Sequence, residues 1–257
     1  MQWRAKTSRG LVRPENEDSW AVVDLSSSGR NIWLAMVADG LGGHEGGEVA
    51  SSLAVKSAVD YISLHIPQDP PPKLLQDAVE YGNRKVLQAA TSGTGFPGMG
   101  TTLTCALVEE ETSRLYVGHV GDSRVYLISG SKIRQITDDH SVTGELVRNG
   151  TISEEDAMRH PARNVLTMAL GTQARVEVAT YEEELSPGDV ILLCTDGLTS
   201  LVSPSEIADV ISKRRQDDVA DALVDLANSR GGYDNVTVVV LWPAISPVPS
   251  PKRGETS

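Results

Sequence analysis

TTLTCALVEEETSRLYVGHVGDSRVYLISGSKIRQI, residues 101–136, decides the fold class. Apolar residues fall into four short stretches, Thr101–Val108, Arg114–Val120, Arg124–Ser129 and Lys132–Ile136. Only the turns Glu109–Ser113, Gly121–Ser123 and Gly130-Ser131 separate them. Strands joined by turns this short run antiparallel, so the stretch predicts an antiparallel meander. Upstream, Ser19–Val23 and Ile32–Ala38 read as two more strands around a Ser/Gly turn at Ser26–Arg30. Glu48–Ile66 carries Val49, Leu53, Ala54, Ala58, Tyr61 and Ile62 at helical spacing, and the proline run from Pro67 to Pro72 stops it. A second helix follows, with Leu74, Leu75, Ala78, Val79, Val86 and Leu87 on one face. Ser141–Gly171 is more polar and less periodic, with Ser153-Glu154-Glu155-Asp156 suited to cap a short helix. Strands return at Arg175–Tyr181 and Val190–Cys194, then come helices from Ser203-Pro204-Ser205-Glu206 and over Asp217–Ser229, and a last strand over Val236–Trp242. Helices in pairs between strands do not build a doubly wound parallel sheet. They predict an α+β fold of antiparallel sheets covered on their outer faces by helix layers.

The bulk properties narrow the function. At 257 residues, one large domain over residues 1–242 accommodates the whole periodic region. A net charge of −12 argues against a nucleic-acid partner, since phosphate backbones recruit basic surfaces. Cys105 and Cys194 both lie inside apolar strands and read as buried reduced thiols, not as a disulfide framework. Met1-Gln2-Trp3-Arg4 lacks the apolar core of a signal peptide, and no run is long enough to span a membrane. The expectation is a monomeric cytoplasmic protein whose Pro/Ser-rich end, Pro243–Ser257, is a disordered tail or a linker.

Two apolar runs each end in Asp-Gly: Ile32–Ala38 before Asp39-Gly40, and Val190–Thr195 before Asp196-Gly197. An Asp at the end of a buried strand points out of the core at the sheet edge, and the Gly lets a backbone carbonyl or a ligand approach closely. Ordinary turn chemistry is the other reading of Asp-Gly. Asp18 and Asp234 stand where strands begin, and Asp122 sits in the Gly121-Asp122-Ser123-Arg124 turn. Carboxylates converging without matching cations are costly unless hard metal ions neutralise them.

These motifs, taken in order, resemble the metal-dependent serine/threonine protein phosphatases of type 2C, in particular the bacterial members. Arg13-Pro14-Glu15-Asn16-Glu17-Asp18 is similar to the family's opening Arg-x-x-Asn-Glu-Asp. Ala38-Asp39-Gly40-Leu41-Gly42-Gly43-His44 resembles its Asp-Gly-Met-Gly-Gly-His segment, with Leu41 in place of Met. Gly100-Thr101-Thr102-Leu103, Gly121-Asp122-Ser123-Arg124, Thr195-Asp196-Gly197-Leu198 and Asp234-Asn235-Val236-Thr237 complete the set, which spans about Thr7 to Trp242.

The resemblance implies two central antiparallel sheets between helix layers, with two divalent ions in a cleft at one sheet edge. It makes Asp39 the bridging ligand and Gly40 a carbonyl donor. Asp196 and Asp234 complete one ion, Glu17 and Asp18 hold the other, and Asp122 with Asp196 binds a third. An all-oxygen set selects Mn²⁺ or Mg²⁺ over zinc. The implied reaction is hydrolysis of phosphoserine and phosphothreonine in proteins by a metal-bridged hydroxide, opposing bacterial Ser/Thr kinases in a signalling circuit. Arg13 is the phosphate clamp, because a guanidinium binds two phosphate oxygens at once. For His44 two roles stay open: proton donor to the leaving oxygen, or a loop histidine that shapes the cleft. Ser141–Gly171 corresponds to the family's variable flap, a place for substrate choice or an inert insertion. The rival functions are a small-molecule phosphomonoesterase using the same centre and a non-catalytic regulator that binds phosphoproteins.

Overall fold

The computed structural model describes residues 1–27, 30–42, 45–66, 68–92 and 96–246. The polar N-terminal stretch is itself a strand, β1 (Gln2–Ser8), in which Trp3, Ala5 and Thr7 face inward while Gln2, Arg4 and Lys6 face out. β2 (Ser19–Asp24) and β3 (Ile32–Ala38) form a hairpin, and the short β4 (Gly40–Leu41) follows. The long helices α1 (Glu45–His65) and α2 (Pro71–Thr91) come next, α2 opening on a proline. Then come β5 (Gly100–Thr101), β6 (Leu103–Glu109), β7 (Arg114–Val120), β8 (Arg124–Ser129) and β9 (Lys132–Gln135). The polar segment beyond holds two short helices, α3 (Val142–Arg148) and α4 (Glu154–Arg159). Their caps are Ser141 and Ser153, whose side chains accept from the N–H groups of Gly144 and Asp156. The chain ends through β10 (Ala179–Glu184), β11 (Val190–Cys194), α5 (Asp196–Thr199), α6 (Pro204–Lys213), α7 (Gln216–Ser229) and β12 (Val236–Trp242).

Two five-stranded sheets result, in the orders β1-β12-β11-β8-β9 and β10-β7-β6-β3-β2, every neighbouring pair antiparallel. Successive side chains on a strand face opposite ways, and here both faces are covered. Leu34 and Met36 of β3 pack with Ala54, Ile62 and Leu75 of α1 and α2. Leu192 and Val238 pack with Ile207 and Leu223 of α6 and α7. The alternate residues Ala35, Val37, Leu193 and Val239 meet between the two sheets. A strand buried on both faces reads as an unbroken apolar run, which is why Ile32–Ala38 and Val190–Cys194 carry no polar alternation. Cys105 and Cys194 are buried and free within these strands. Among the described residues no helix is long and apolar enough to cross a membrane.

The structure corrects three expectations. The meander over 101–136 is split: β6 and β7 pair in one sheet, whereas β8 and β9 belong to the other, β8 pairing with β11. Gly121–Ser123 is therefore a corner between sheets and not a hairpin turn. Gly121 has φ +116, a conformation open to glycine. The strand expected at Arg175–Tyr181 lies at Ala179–Glu184, an edge strand that tolerates its acids because Glu182 faces Arg114 and Glu183 pairs with Arg134. Part of the expected tail is packed. The Ala244 N–H donates to Glu110 Oε1 at 2.7 Å, and Ile245 joins the core between the sheets. Residues 247–257 lie outside the described ones.

The inter-sheet layer carries the fold, so Leu193→Ala is expected to cost about 2–5 kcal/mol of unfolding free energy, read by urea denaturation. A loss below about 1 kcal/mol would show that the layer is not close-packed there.

Candidate active site

Strand register brings the acids together. β2 and β3 pair Ser19 with Ala38, which sets Asp18 beside Asp39 at one end of the hairpin. β11 and β12 pair Cys194 with Val238, which sets Asp196 near the start of β12, where Asp234 stands. Asp122 occupies the corner between β7 and β8. The sheets come from different parts of the chain, yet Asp39 feels the charges of Asp18, Asp196, Asp122 and Asp234 together.

The two Asp-Gly motifs are not turns in the usual sense. Neither Gly40 nor Gly197 has a positive φ. A Cβ at Gly40 would collide with the carbonyl oxygens of Gly47 and Glu17, and one at Gly197 with the carbonyl oxygen of Asn235. Close backbone approach is what excludes a side chain at both positions.

Neutral residues of the same motifs hold the acids in place. Thr102 Oγ1 accepts from the Asp39 N–H at 2.8 Å, while the Asp39 carbonyl accepts from the Thr102 N–H at 2.9 Å and from Thr101 Oγ1 at 2.8 Å. Asp18 Oδ2 accepts from Thr195 Oγ1 at 2.9 Å and from Thr237 Oγ1 at 2.6 Å. Asn235 Oδ1 accepts from the Glu17 N–H, and its Nδ2 donates to the carbonyls of Arg9 and Glu15. The loop carrying Arg13 and Glu17 is thus strapped to the start of β12. The Glu17 carboxylate lies against Gly47 in the first turn of α1. Sequence reasoning quoted these threonines and this asparagine without giving them a role, although their place inside the acid motifs was the available signal.

Electrostatics marks the cluster. Burial lifts the Asp18 carboxyl to about 7, and Asp196 and Asp234 add to the rise although the two threonine hydroxyls favour its charge. Burial also lifts Asp196 to about 6, with Asp234 repelling and the Asp39 side chain and Arg124 pulling back. Asp39 and Asp122 stand well above the ordinary range, first through burial and then through neighbouring aspartates. Asp18 Oδ1 and Asp196 Oδ1 are buried without a hydrogen-bond partner. Arg13 is an exposed residue whose Nη2 donates to Asp234 Oδ2 at 2.8 Å. Burial opposes its charge, but Asp234, Glu17 and Asp39 outweigh that and strengthen it.

Among the described residues no three Asp, Glu, His or Cys side chains are arranged to hold a metal ion directly. The fit to hard divalent cations rests instead on an all-oxygen donor set, on mutual repulsion and on two orphaned carboxylate oxygens. Asp234 is meanwhile paired with the guanidinium that was expected to clamp phosphate. Among the sequence-derived site residues, Arg13, Glu17, Asp18, Asp39, Gly40, Asp122, Asp196 and Asp234 gather in this region, whereas His44 lies outside the described residues.

Behind Asp122, His119 is buried between Thr104 Oγ1 at 2.8 Å and the Asp138 carbonyl at 3.1 Å, and burial drives it down to about 3. His140 Nδ1 accepts from the Gly121 N–H, fixing the corner. Arg124 clasps Asp139 through two nitrogens, at 2.9 and 2.6 Å. A cavity of about 280 Å³ runs from Asp122 and Asp196 along Arg124 and Asp139 to Val147 and Met158 of α3 and α4.

A sequence model described as Protein phosphatase 2C matches residues 10–231. Over 240 residues the chain is 39% identical to a serine/threonine phosphatase, stp, of Listeria welshimeri, covering 92% of this chain and 93% of that one. The crystal structure of the Mycobacterium tuberculosis serine/threonine phosphatase PstP/Ppp superposes with a TM-score of 0.81 at 38% identity, over 93% of this chain and 97% of that one. A PstP catalytic domain in complex with two manganese ions matches with a TM-score of 0.77 at 38% identity, over 93% and 96% of the two chains.

Asp18 and Asp196 keep their protons in the fold up to about pH 7 and 6, whereas the unfolded chain releases them near 3.8. Their stabilising contribution is complete below that lower value and is lost as pH rises toward 7. The metal-free protein should therefore melt at a lower temperature at about pH 8 than at about pH 5.5, with Mn²⁺ stabilising more at the higher pH, where protons no longer compete. Equal stabilisation at both pH values in a thermal melt would contradict the clustered-acid picture.

Proposed function

The chain belongs to the protein phosphatase 2C family, and we propose that its acid cluster hydrolyses phosphoserine and phosphothreonine in proteins through two divalent ions. The observation that carries this reading is the convergence of five aspartates from both sheets, two of them with a buried oxygen that lacks a partner. Asp39 would be shared between the ions, with Asp196 and Asp234 serving one, and Glu17, Asp18 and the Gly40 carbonyl the other. Asp122 and Asp196 would hold a third. Oxygen donors throughout favour Mg²⁺ or Mn²⁺, and the manganese-bound PstP domain supports two as the core number. When bound, the ions supply Lewis-acid charge at the phosphoryl group and a water acidic enough to act as nucleophile near neutral pH.

The chain's own residues do the rest. Thr101 and Thr102 fix the Asp39 backbone, while Thr195 and Thr237 orient Asp18 so that its second oxygen stays available. Arg13 pairs with Asp234 at 2.8 Å, and with that carboxylate held by a cation its guanidinium would be available to two phosphate oxygens. In the net reaction a P–O bond to water forms, the P–O bond to the serine or threonine oxygen breaks, and that oxygen takes up a proton. From the motif, His44 would either deliver that proton or shape the cleft, and it lies outside the described residues. The phosphatase domain would reach at least Ile245, which packs between the sheets, with 141–171 as a flap over the cavity beside Asp122 and Asp196. We place the protein in the cytoplasm as a monomer opposing Ser/Thr kinases, a setting that suits two buried reduced cysteines.

Chelation should abolish phosphate release from phosphothreonine peptides, and Mn²⁺ or Mg²⁺ should restore it. Asp39→Asn should lower kcat by about 10³-fold, roughly 4 kcal/mol of barrier, and wild-type turnover by that variant in a phosphate-release assay would sink the shared-ligand role. Arg13→Ala should reduce kcat/KM for phosphopeptides by about 10²-fold while metal affinity holds or tightens, because the cation paired with Asp234 is gone. Calorimetry showing weakened Mn²⁺ binding by this variant would make Arg13 a support of the metal ligands and not a phosphate clamp.

A further inference from the structure

We propose that Leu11, Val12 and Tyr233 form an apolar rim that seats an apolar residue flanking the phosphorylated serine or threonine of the substrate. This rests on the phosphatase reading and specifies which substrates the centre turns over fastest. Among the described residues, the large apolar side chains more than 60% exposed are Leu11 at 71%, Leu64 at 68%, Tyr233 at 63% and Val12 at 62%. A single exposed leucine needs no explanation, but three gathered on two adjoining loops do.

The loops are held together. The Leu11 N–H donates to the Gly232 carbonyl at 2.8 Å, and the Asn235 amide reaches the carbonyls of Arg9 and Glu15 on either side. Leu11 and Tyr233 rest on the same dipeptide. A side chain at Gly231 would strike the Tyr233 ring, and one at Gly232 would press on Leu11 Cγ. The two loops are therefore fastened to each other, with the apolar groups of Leu11, Val12 and Tyr233 turned to solvent. Val12 precedes Arg13 and Tyr233 precedes Asp234, the pair that meets at 2.8 Å where phosphate is to bind.

A substrate whose phosphate engages Arg13 carries its neighbours across this surface. Residues one or two positions from the phosphorylated one lie about 4–7 Å away along an extended chain, and the loops carrying Leu11, Val12 and Tyr233 run directly into Arg13 and Asp234. An apolar neighbour would cover exposed apolar surface there. An acidic neighbour would gain nothing and would face Asp234, Glu17 and Asp39, in a chain of net charge −12. The occupant is thus an apolar-flanked phosphopeptide segment.

The test compares phosphothreonine peptides that differ only in carrying Leu or Ser at one position within two residues of the phosphothreonine, assayed with Mn²⁺. At one or more positions the protein should favour Leu by about tenfold in kcat/KM, and the double variant Leu11→Ser/Tyr233→Ser should reduce that preference to within about twofold. Turnover of 4-nitrophenyl phosphate, which has no flanking residues, reads the integrity of the centre in both proteins. Val12→Ser alone gives a milder variant in which a partial loss of preference is expected. Hydrolysis of all peptides with no preference, or a preference that survives the double variant, would overturn the rim alone. Failure of the intact protein to hydrolyse any peptide or the small ester would overturn the phosphatase reading and the rim with it. If the double variant dissociated an oligomer while keeping the preference, the surface would belong to a second copy of the chain and the proposal would fall.

Discussion

Five aspartate carboxylates held at the ends of two packed sheets repel one another in surroundings that screen charge poorly, and the local structure around them serves to contain that repulsion. Asp18 leans on two threonine hydroxyls, Asp234 on the Arg13 guanidinium, and Asp39 and Asp196 on each other. None of these partners neutralises the cluster. Removing Arg13 or a threonine would leave a carboxylate more poorly matched, whereas hard cations would match several at once. The centre and the architecture are therefore one problem: the sandwich must keep its sheet ends in register so that acids from distant parts of the chain stay close.

Much of this was legible in the order of residues because the decisive signals are local. An unbroken run such as Ile32–Ala38 shows a strand covered on both faces, and Asp39-Gly40 marks its end. The close approach of Gly47 and Asn235 to the two motif glycines gives the structural reason for that dipeptide. The corner at Gly121–Ser123 was not legible, since a hairpin turn and a change of sheet use the same small polar residues. Only the pairing of β8 with β11, some 60 residues away in sequence, decides between them. β1 escaped notice because its outward residues are Gln2, Arg4 and Lys6, and β10 because glutamates on an edge strand disguise its alternation.

At the site, the acids could be found from spacing, but their supports could not. Thr195 and Thr237 bind Asp18 across 177 and 219 residues of sequence, contacts that no local pattern encodes. The pairing of Arg13 with Asp234 likewise changes the meaning of an arginine read as a free phosphate clamp: it is also the cation that offsets the Asp234 carboxylate.

The most direct test of the central claim is manganese anomalous diffraction from crystals grown with Mn²⁺. The account predicts two strong peaks beside Asp39, one bounded by Asp196 and Asp234 and the other by Asp18 and Glu17. Manganese absent from these carboxylates, or bound only elsewhere on the surface, would contradict it.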